Sequence, residues 1–190
     1  MVTVEKPLLV GSQEFAALYG VRAAQVSQWI GRGTLTYEQA RIVSGSPYWP
    51  LAFARSFGES TPRRREVREE ALECLVAEQM PARWVEDVAQ LPPLVGQQEG
   101  AMLFGLAHAE VLTQQARPGK PAEPDWVLSG SPLWLLDTLL RAAPALQAQA
   151  RTLAWEVDPG VEAALRDGSY DGPGSVIKKR GPAATKGRAG

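Results

Sequence analysis

Three polar side chains near the start of the chain could bind a nucleic acid. Arg22, Gln25 and Gln28 follow one another at intervals of three residues, so on a helix they share one face. A guanidinium can contact a phosphate or a guanine edge, and a carboxamide can pair with an adenine edge. This face is the first candidate site, provided that a helix forms here.

Two short helices would position these side chains. The first is predicted to start at the N-cap Ser12 and to end at Gly20, because glycine readily takes the left-handed conformation at a helix end. The second is predicted over residues 22–30, with Val26 and Trp29 facing a core and the polar side chains facing outward. Two short helices joined by a glycine-containing turn make a helix-turn-helix.

A hairpin is predicted directly after the helices. Residues 41–43 read as a strand, and Tyr48 and Trp49 as the returning strand. The turn between them needs a positive φ at Gly45. Pro50 then suits the first turn of another helix.

The same pattern occurs twice in the chain. Residues 7–51 align with residues 92–136 at a constant offset of 85, and 19 of the 45 positions are identical. Self-similarity at a fixed period indicates duplicated architecture. The predicted organisation is a first repeat at 1–58, a helical connector at 59–91, a degenerate second repeat at 92–142, C-terminal helices at 143–168 and a basic disordered tail at 169–190.

The segment LVGSQEFAALYGVRAAQVSQWIGRG, followed by SGSPYW, resembles the excisionase-like branch of the MerR-type winged helix-turn-helix family. The resemblance covers about residues 8–57 and, more weakly, 93–142. It implies a mainly α fold with short β-hairpin wings, present as two tandem winged domains. It also implies that residues 22–28 enter the major groove and that the turn at 44–46 lies against the DNA backbone or the minor groove.

The chain departs from that family at the second helix. Family members often begin it with Ser-Arg and place another arginine one turn later, whereas here Arg22 is followed by two alanines and Gln25. Fewer cations mean fewer phosphate contacts and a weaker dependence of binding on salt. The expected DNA contacts are Arg22, Ala23, Gln25, Ser27, Gln28, Arg32, Arg41, Ser44, Ser46, Arg63, Arg64, Arg65, Lys178, Lys179 and Arg180.

The second repeat is predicted to be a poorer reader of DNA. Glu110 replaces Gln25, and a carboxylate facing phosphates is repulsive. Residues 1–58 carry five basic and three acidic groups, whereas residues 92–140 carry two basic and five acidic ones. We therefore expect this repeat to act as a scaffold, or to bind another copy of the chain or another protein.

The connector and the tail add two basic stretches. Residues 63–65 are three arginines near the start of a predicted connector helix that opens at Thr61. They either form a solvated charge run or face phosphates, and the helix either spaces two reading heads or folds back onto the first repeat. Residues 172–190 carry five cations and no acid, so the tail should attract phosphates regardless of sequence.

Composition excludes several other classes of protein. One cysteine and one histidine supply neither a disulfide, a Cys/His metal cluster nor a nucleophile and base pair, so no enzyme, metal or cofactor is expected. Neither a run of 18 apolar residues nor a signal peptide is present, which predicts a cytoplasmic, nucleoid-associated protein without a membrane or small-molecule partner. The expected function is sequence-specific binding of double-stranded DNA, as a transcriptional regulator or excisionase-like architectural factor of bacterial or phage type. The alternative is an adaptor whose winged folds bind proteins.

Overall fold

The computed structural model describes residues 5–178, and its fold mixes helices with small antiparallel sheets. Eight α-helices and one 3-10 turn together make up 42% of that range, and strands make up 14%. The prediction of a mainly α fold was wrong. The reason is local, since Leu9–Val10 and Leu94–Val95 each add a third strand to the predicted hairpin, and two-residue strands leave no periodic signal in a sequence.

The first repeat contains one antiparallel sheet and four helices. Its elements are β1 (Lys6–Pro7), β2 (Leu9–Val10), α1 (Ser12–Leu18), α2 (Ala23–Gly31), β3 (Arg41–Val43), β4 (Ser46–Pro50), α3 (Leu51–Phe57) and α4 (Glu69–Gln79). The strands lie in the order β2, β4, β3. The predicted pair of helices followed by a hairpin and a third helix is therefore present.

The second repeat follows the same order. Its elements, with the linker before it, are β5 (Ala82–Arg83), a 3-10 turn (Val88–Gln90), β6 (Leu94–Val95), α5 (Gln97–Leu103), α6 (Ala109–Gln114), β7 (Trp126–Leu128), β8 (Ser131–Leu135), α7 (Leu136–Gln149) and α8 (Pro159–Asp167). The sheet order β6, β8, β7 repeats that of the first sheet. Strand β5 pairs in parallel with β1, which ties the linker to the first repeat.

An aromatic cluster forms the helical core of the first repeat. The Phe15 ring meets the Trp49 and Phe57 rings edge to face, with centroids 5.2 Å away in both cases. Trp29 and Trp49 are buried, as the sequence predicts. Such edge-to-face pairs add to the stability gained by burying the rings.

Helix α4 belongs to this core and does not extend away from it. It begins at Glu69, whereas the sequence predicts a connector helix from Thr61, and Leu72 and Leu75 are buried against the first repeat. The alternative in which the helix folds back is therefore the correct one. At its last residue, the buried Gln79 amide accepts from the Leu9 N–H at 2.9 Å and donates to the Leu9 carbonyl at 2.7 Å.

Helix α8 occupies the matching position in the second repeat. The Arg68 N–H before α4 donates to the Leu18 carbonyl at 2.7 Å, and the Asp158 N–H before α8 donates to the Leu103 carbonyl at 2.8 Å. Leu18 and Leu103 are equivalent at the offset of 85. Each repeat is therefore a longer unit than the sequence indicates, with a fourth helix after α3 or α7.

The two sheets share a third core. It is formed by buried side chains of both repeats and of the linker, namely Leu9, Val43, Tyr48, Val85, Leu91, Leu94, Trp126, Leu128, Leu133 and Leu135. Small units bury too little surface to be stable alone, and here each repeat completes its burial against the other. Between residues 5 and 178, no helix is both long and apolar enough to cross a membrane.

Candidate functional site

Each hairpin ends in a two-residue turn with unusual backbone angles. The φ angles are 48° at Ser44 and 77° at Gly45, and 49° at Ser129 and 75° at Gly130. Two consecutive positive φ angles define a type I′ turn, which suits the twist of a hairpin. The predicted positive φ at Gly45 is confirmed, and the strained serine before it was not foreseen.

The first turn binds a glutamate of the second repeat. The Ser44 N–H donates to Glu99 Oε1 at 2.7 Å, and the Ser44 hydroxyl donates to Glu99 Oε2 at 2.5 Å. The same hydroxyl accepts from the Gln98 N–H at 3.0 Å. Ser44 therefore caps the first turn of helix α5 from another part of the chain.

The second turn makes the equivalent hydrogen bonds to a glutamate of the first repeat. The Ser129 N–H and hydroxyl donate to the Glu14 carboxylate at 2.7 and 2.8 Å. The Ser129 hydroxyl also accepts from the Gln13 N–H at 3.1 Å, at the start of helix α1. We call the two sets together the reciprocal caps.

The reciprocal caps explain why the helices lack ordinary N-cap side chains. The N-cap residues are Gly11 and Gly96, so the prediction of Ser12 as the N-cap was wrong. A Cβ at either glycine would collide with the hydroxyl of Ser129 or Ser44. The serine that caps each helix therefore comes from the other repeat, and glycine leaves the room for it.

Three residues predicted to contact DNA lie at this seam between the repeats. Ser44 is bonded to Glu99, and Ser46 is half-buried where β4 starts. The Arg41 guanidinium donates to the carbonyls of the linker, with distances of 3.3 to 3.5 Å. Burial lowers the pKa of Arg41. These contacts hold the first hairpin against the rest of the molecule.

The outer face of helix α2 remains open. Ala23, Ser27 and Gln28 are exposed, while Gln25 is half-buried. Helix α2 begins one residue later than predicted, so Arg22 precedes it as the N-cap residue. Arg22 and Arg32 are exposed at opposite ends of the helix.

The arginine-rich segment of the connector lies beside α2. The Arg65 guanidinium is 4.9 Å from the centroid of the Trp29 ring, and the Arg68 side chain packs over Gly20 in the turn between α1 and α2. The segment precedes α4 instead of opening a helix, and the Arg65 N–H donates to the Gly58 carbonyl at 3.0 Å. Its position next to the helix pair could not be read from the sequence.

These cations have no carboxylate partner in the part of the chain that the structure describes. There, the side-chain ion pairs within 4 Å are those of Arg166 with Asp137 and Glu162. The unpaired arginines at the two ends of α2 and in the connector segment 63–68 are called the arginine face, and they are Arg22, Arg32, Arg63, Arg64, Arg65 and Arg68. Unpaired surface guanidiniums can bind phosphates without first breaking an internal ion pair.

The second repeat has no comparable face. Helix α6 is shorter than α2, with Glu110 exposed in its first turn and His108 exposed just before it. In the segment before α8, Trp155 is buried against the Phe104 ring, with centroids 5.5 Å from each other. In the second repeat, the segment before the last helix thus contributes the aromatic side chain of Trp155, whereas the corresponding segment of the first repeat contributes arginines.

The C-terminal segment reaches back to the first turn. Residues 172–178, predicted as part of a disordered tail, contribute two backbone bonds to Gly45, in which the Gly45 N–H donates to the Gly174 carbonyl at 2.9 Å and the Lys178 N–H donates to the Gly45 carbonyl at 3.1 Å. Lys178, which was predicted to lie in a disordered tail, is thus bonded to the first hairpin turn. Lys179 and Arg180 lie outside the described residues.

Comparisons with protein-family models, with curated proteins and with solved structures find no match to this chain. The geometry is therefore the basis for any functional assignment. From residue 5 to residue 178, no group of three His, Cys, Asp or Glu side chains is placed to hold a metal ion.

Proposed function

We propose that the protein binds double-stranded DNA through the arginine face of its first repeat. The observation that carries the proposal is that unpaired arginines lie at both ends of α2 and in the connector segment whose Arg65 packs over Trp29 of that helix. In this interpretation, α1 and α2 form a helix-turn-helix, and α2 enters the major groove. In this proposal the protein binds a specific DNA sequence, and its biological role is that of a transcriptional regulator or an excisionase-like architectural factor.

Helix α2 and the arginine face have different roles in this binding. Gln28 and Ser27 are exposed on α2 and can hydrogen-bond base edges. Arg22, Arg32 and the arginines of the connector flank the helix and contact phosphates on either side of the groove. Phosphate contacts position a protein, whereas contacts with base edges give sequence specificity.

We interpret each repeat as a winged helix-turn-helix whose hairpin joins the two repeats and does not contact DNA. Each hairpin follows the helix pair as a wing would, but its turn is held by a glutamate of the other repeat. The arginine segment at 63–68 supplies the backbone contacts in its place. The second repeat, with Glu110 on α6, holds the first repeat in shape.

The test is selection of bound sequences from a random duplex pool, followed by affinity measurements with variants. Gln28→Ala is expected to weaken binding to the selected site more than binding to random duplex. Arg64→Ala should weaken both equally and lower the slope of log affinity against log salt by about 0.9. Arg141→Ala, an exposed arginine of helix α7, is the matched control and should change neither.

Two results would contradict the proposal. Equal losses on selected and random duplex for Gln28→Ala would show that α2 does not contact base edges. Failure of the full chain to bind any duplex at low salt would remove DNA binding and favour the adaptor, the second candidate. The adaptor is supported by the open edge of strand β7 in the second repeat, where Val127 is exposed.

A further inference from the structure

The two equivalent turns differ in what covers them. Gly45 is buried, with its N–H and its carbonyl bonded to Gly174 and Lys178, and the methylene groups of Lys178 pack over it. Gly130, the equivalent residue, is exposed, and no described atom lies within 4 Å of the position of a Cβ there. One turn thus carries a looped peptide segment, with turns and bends at residues 172–176, and its counterpart does not.

The strand next to each turn shows the same difference. Ile42 on β3 is half-buried in a cleft whose other walls include Leu165, Tyr170 and Ser175 of the C-terminal part of the chain. Val127, its equivalent on β7, is 64% exposed. An exposed apolar side chain on an edge strand is suited to pairing with another segment.

A cavity adjoins the open edge and has a strongly acidic lining. It has a volume of about 260 Å³, and four carboxylates but one cation line it, namely Glu14, Glu78, Glu123, Asp125 and Lys6. Glu14 also holds Ser129, so the cavity and the open turn are continuous. Trp126 lines the cavity as well, and its buried indole N–H has no acceptor within residues 5–178. The lining thus offers negative charge.

We propose that this edge binds a basic peptide of a partner protein. The peptide forms a loop that bonds to the backbone of Gly130 as residues 174 and 178 bond to Gly45. It passes beside Val127 on β7 and places a lysine or arginine against the acidic cavity. Two observations identify the occupant. The chain's own segment of this kind occupies the first turn, and the net charge of the cavity lining selects a cation.

The covered turn also indicates the spacing in the partner's peptide. Gly174 has a φ of 91°, and a Cβ there would press on Ser44 and Glu99. The next residue bonded to Gly45 is Lys178, four positions later. Since Ser44, Gly45 and Glu99 have the equivalents Ser129, Gly130 and Glu14, the expected motif is glycine, any three residues, then lysine or arginine.

The probe is a labelled synthetic peptide with the sequence of residues 170–180, YDGPGSVIKKR, added to the full chain. The expected result is saturable binding that becomes about tenfold weaker when Glu78 and Glu123 are both changed to Lys, since two attractions become repulsions. Glu73→Lys, on the exposed surface of α4 but outside the cavity, is the matched control and should leave the affinity unchanged. A peptide with valine in place of the glycine equivalent to Gly174 should bind less tightly.

Three results would overturn the assignment. The first is no binding of the peptide to the full chain. The second is binding that the Glu78 and Glu123 reversals leave unchanged, which would place the peptide elsewhere. The third is binding that arises only after residues 179–190 are deleted, which would make the chain's own C-terminus the occupant. None of these measurements involves the arginine face, so they are independent of the DNA experiments.

Discussion

Glu99→Gln is expected to destabilise the whole protein, because one carboxylate joins the two repeats. Glu99 is 2% exposed and accepts three hydrogen bonds, from the Ser44 N–H, the Ser44 hydroxyl and the Gly96 N–H. A carboxamide has one oxygen and one NH₂ group in the same space. Whichever way it is placed, its NH₂ group faces the N–H of Ser44 or of Gly96, and a buried donor is left without an acceptor.

The size of the effect follows from that unpaired donor. A buried N–H that loses its partner costs about 1–3 kcal/mol, and bonds to a charged acceptor are worth more than bonds to a neutral one. We expect the free energy of unfolding to fall by about 2–3 kcal/mol. For a chain of this size that corresponds to a decrease in Tm of about 4–12 °C.

Glu14→Gln provides the matched control for this experiment. Glu14 accepts the equivalent three bonds from Ser129 and Gly11, but it is only partly buried, so water can reach the unpaired donor. We expect a loss of about 1 kcal/mol. Urea unfolding of both variants, with one transition followed by fluorescence and circular dichroism, measures the difference. Equal losses, or a loss below about 1 kcal/mol for Glu99→Gln, would refute the argument that burial makes this cap strong.

Two further predictions concern the seam between the repeats. Gly96→Ala should lower the free energy of unfolding by about 1–3 kcal/mol, because its Cβ would collide with the Ser44 hydroxyl. Gly31→Ala, at the open end of α2, should be neutral or slightly stabilising in the same urea titration, and an equal loss there would contradict the collision. Burial raises the pKa of Tyr48 from 10.0 to about 12, so the folded state retains a proton that the unfolded state loses. Its contribution is therefore complete below about pH 10 and is lost as the pH rises to about 12, at a cost approaching about 2 kcal/mol. Unfolding measured at pH 9 and pH 11.5 should show a smaller alkaline loss for Tyr48→Phe than for the unchanged chain, and an identical loss would exclude Tyr48 as its source.

The helices and hairpins of each repeat could be predicted because their signals are local. Gly20 ends the first helix and Gly45 takes a positive φ for reasons of backbone sterics that involve no distant residue. The burial of Trp29 and Trp49 followed from their places in the helical and strand patterns. The arginines at 63–65 were recognised as candidates, but the contact of Arg65 with Trp29 on α2 was not foreseen, because it depends on where the connector folds.

The sequence alone established the duplication, since 19 identities at a constant offset need no structure to be seen. It did not establish why those residues are shared. Gly11, Glu14 and Ser44 recur as Gly96, Glu99 and Ser129 because each repeat supplies the cap for a helix of the other. Such contacts join residues more than 50 positions apart, and neither period nor propensity encodes them. The local elements can thus be predicted from the sequence. Which turn is covered depends on the tertiary structure, because the C-terminal segment packs on the turn at Gly45 and not on the turn at Gly130.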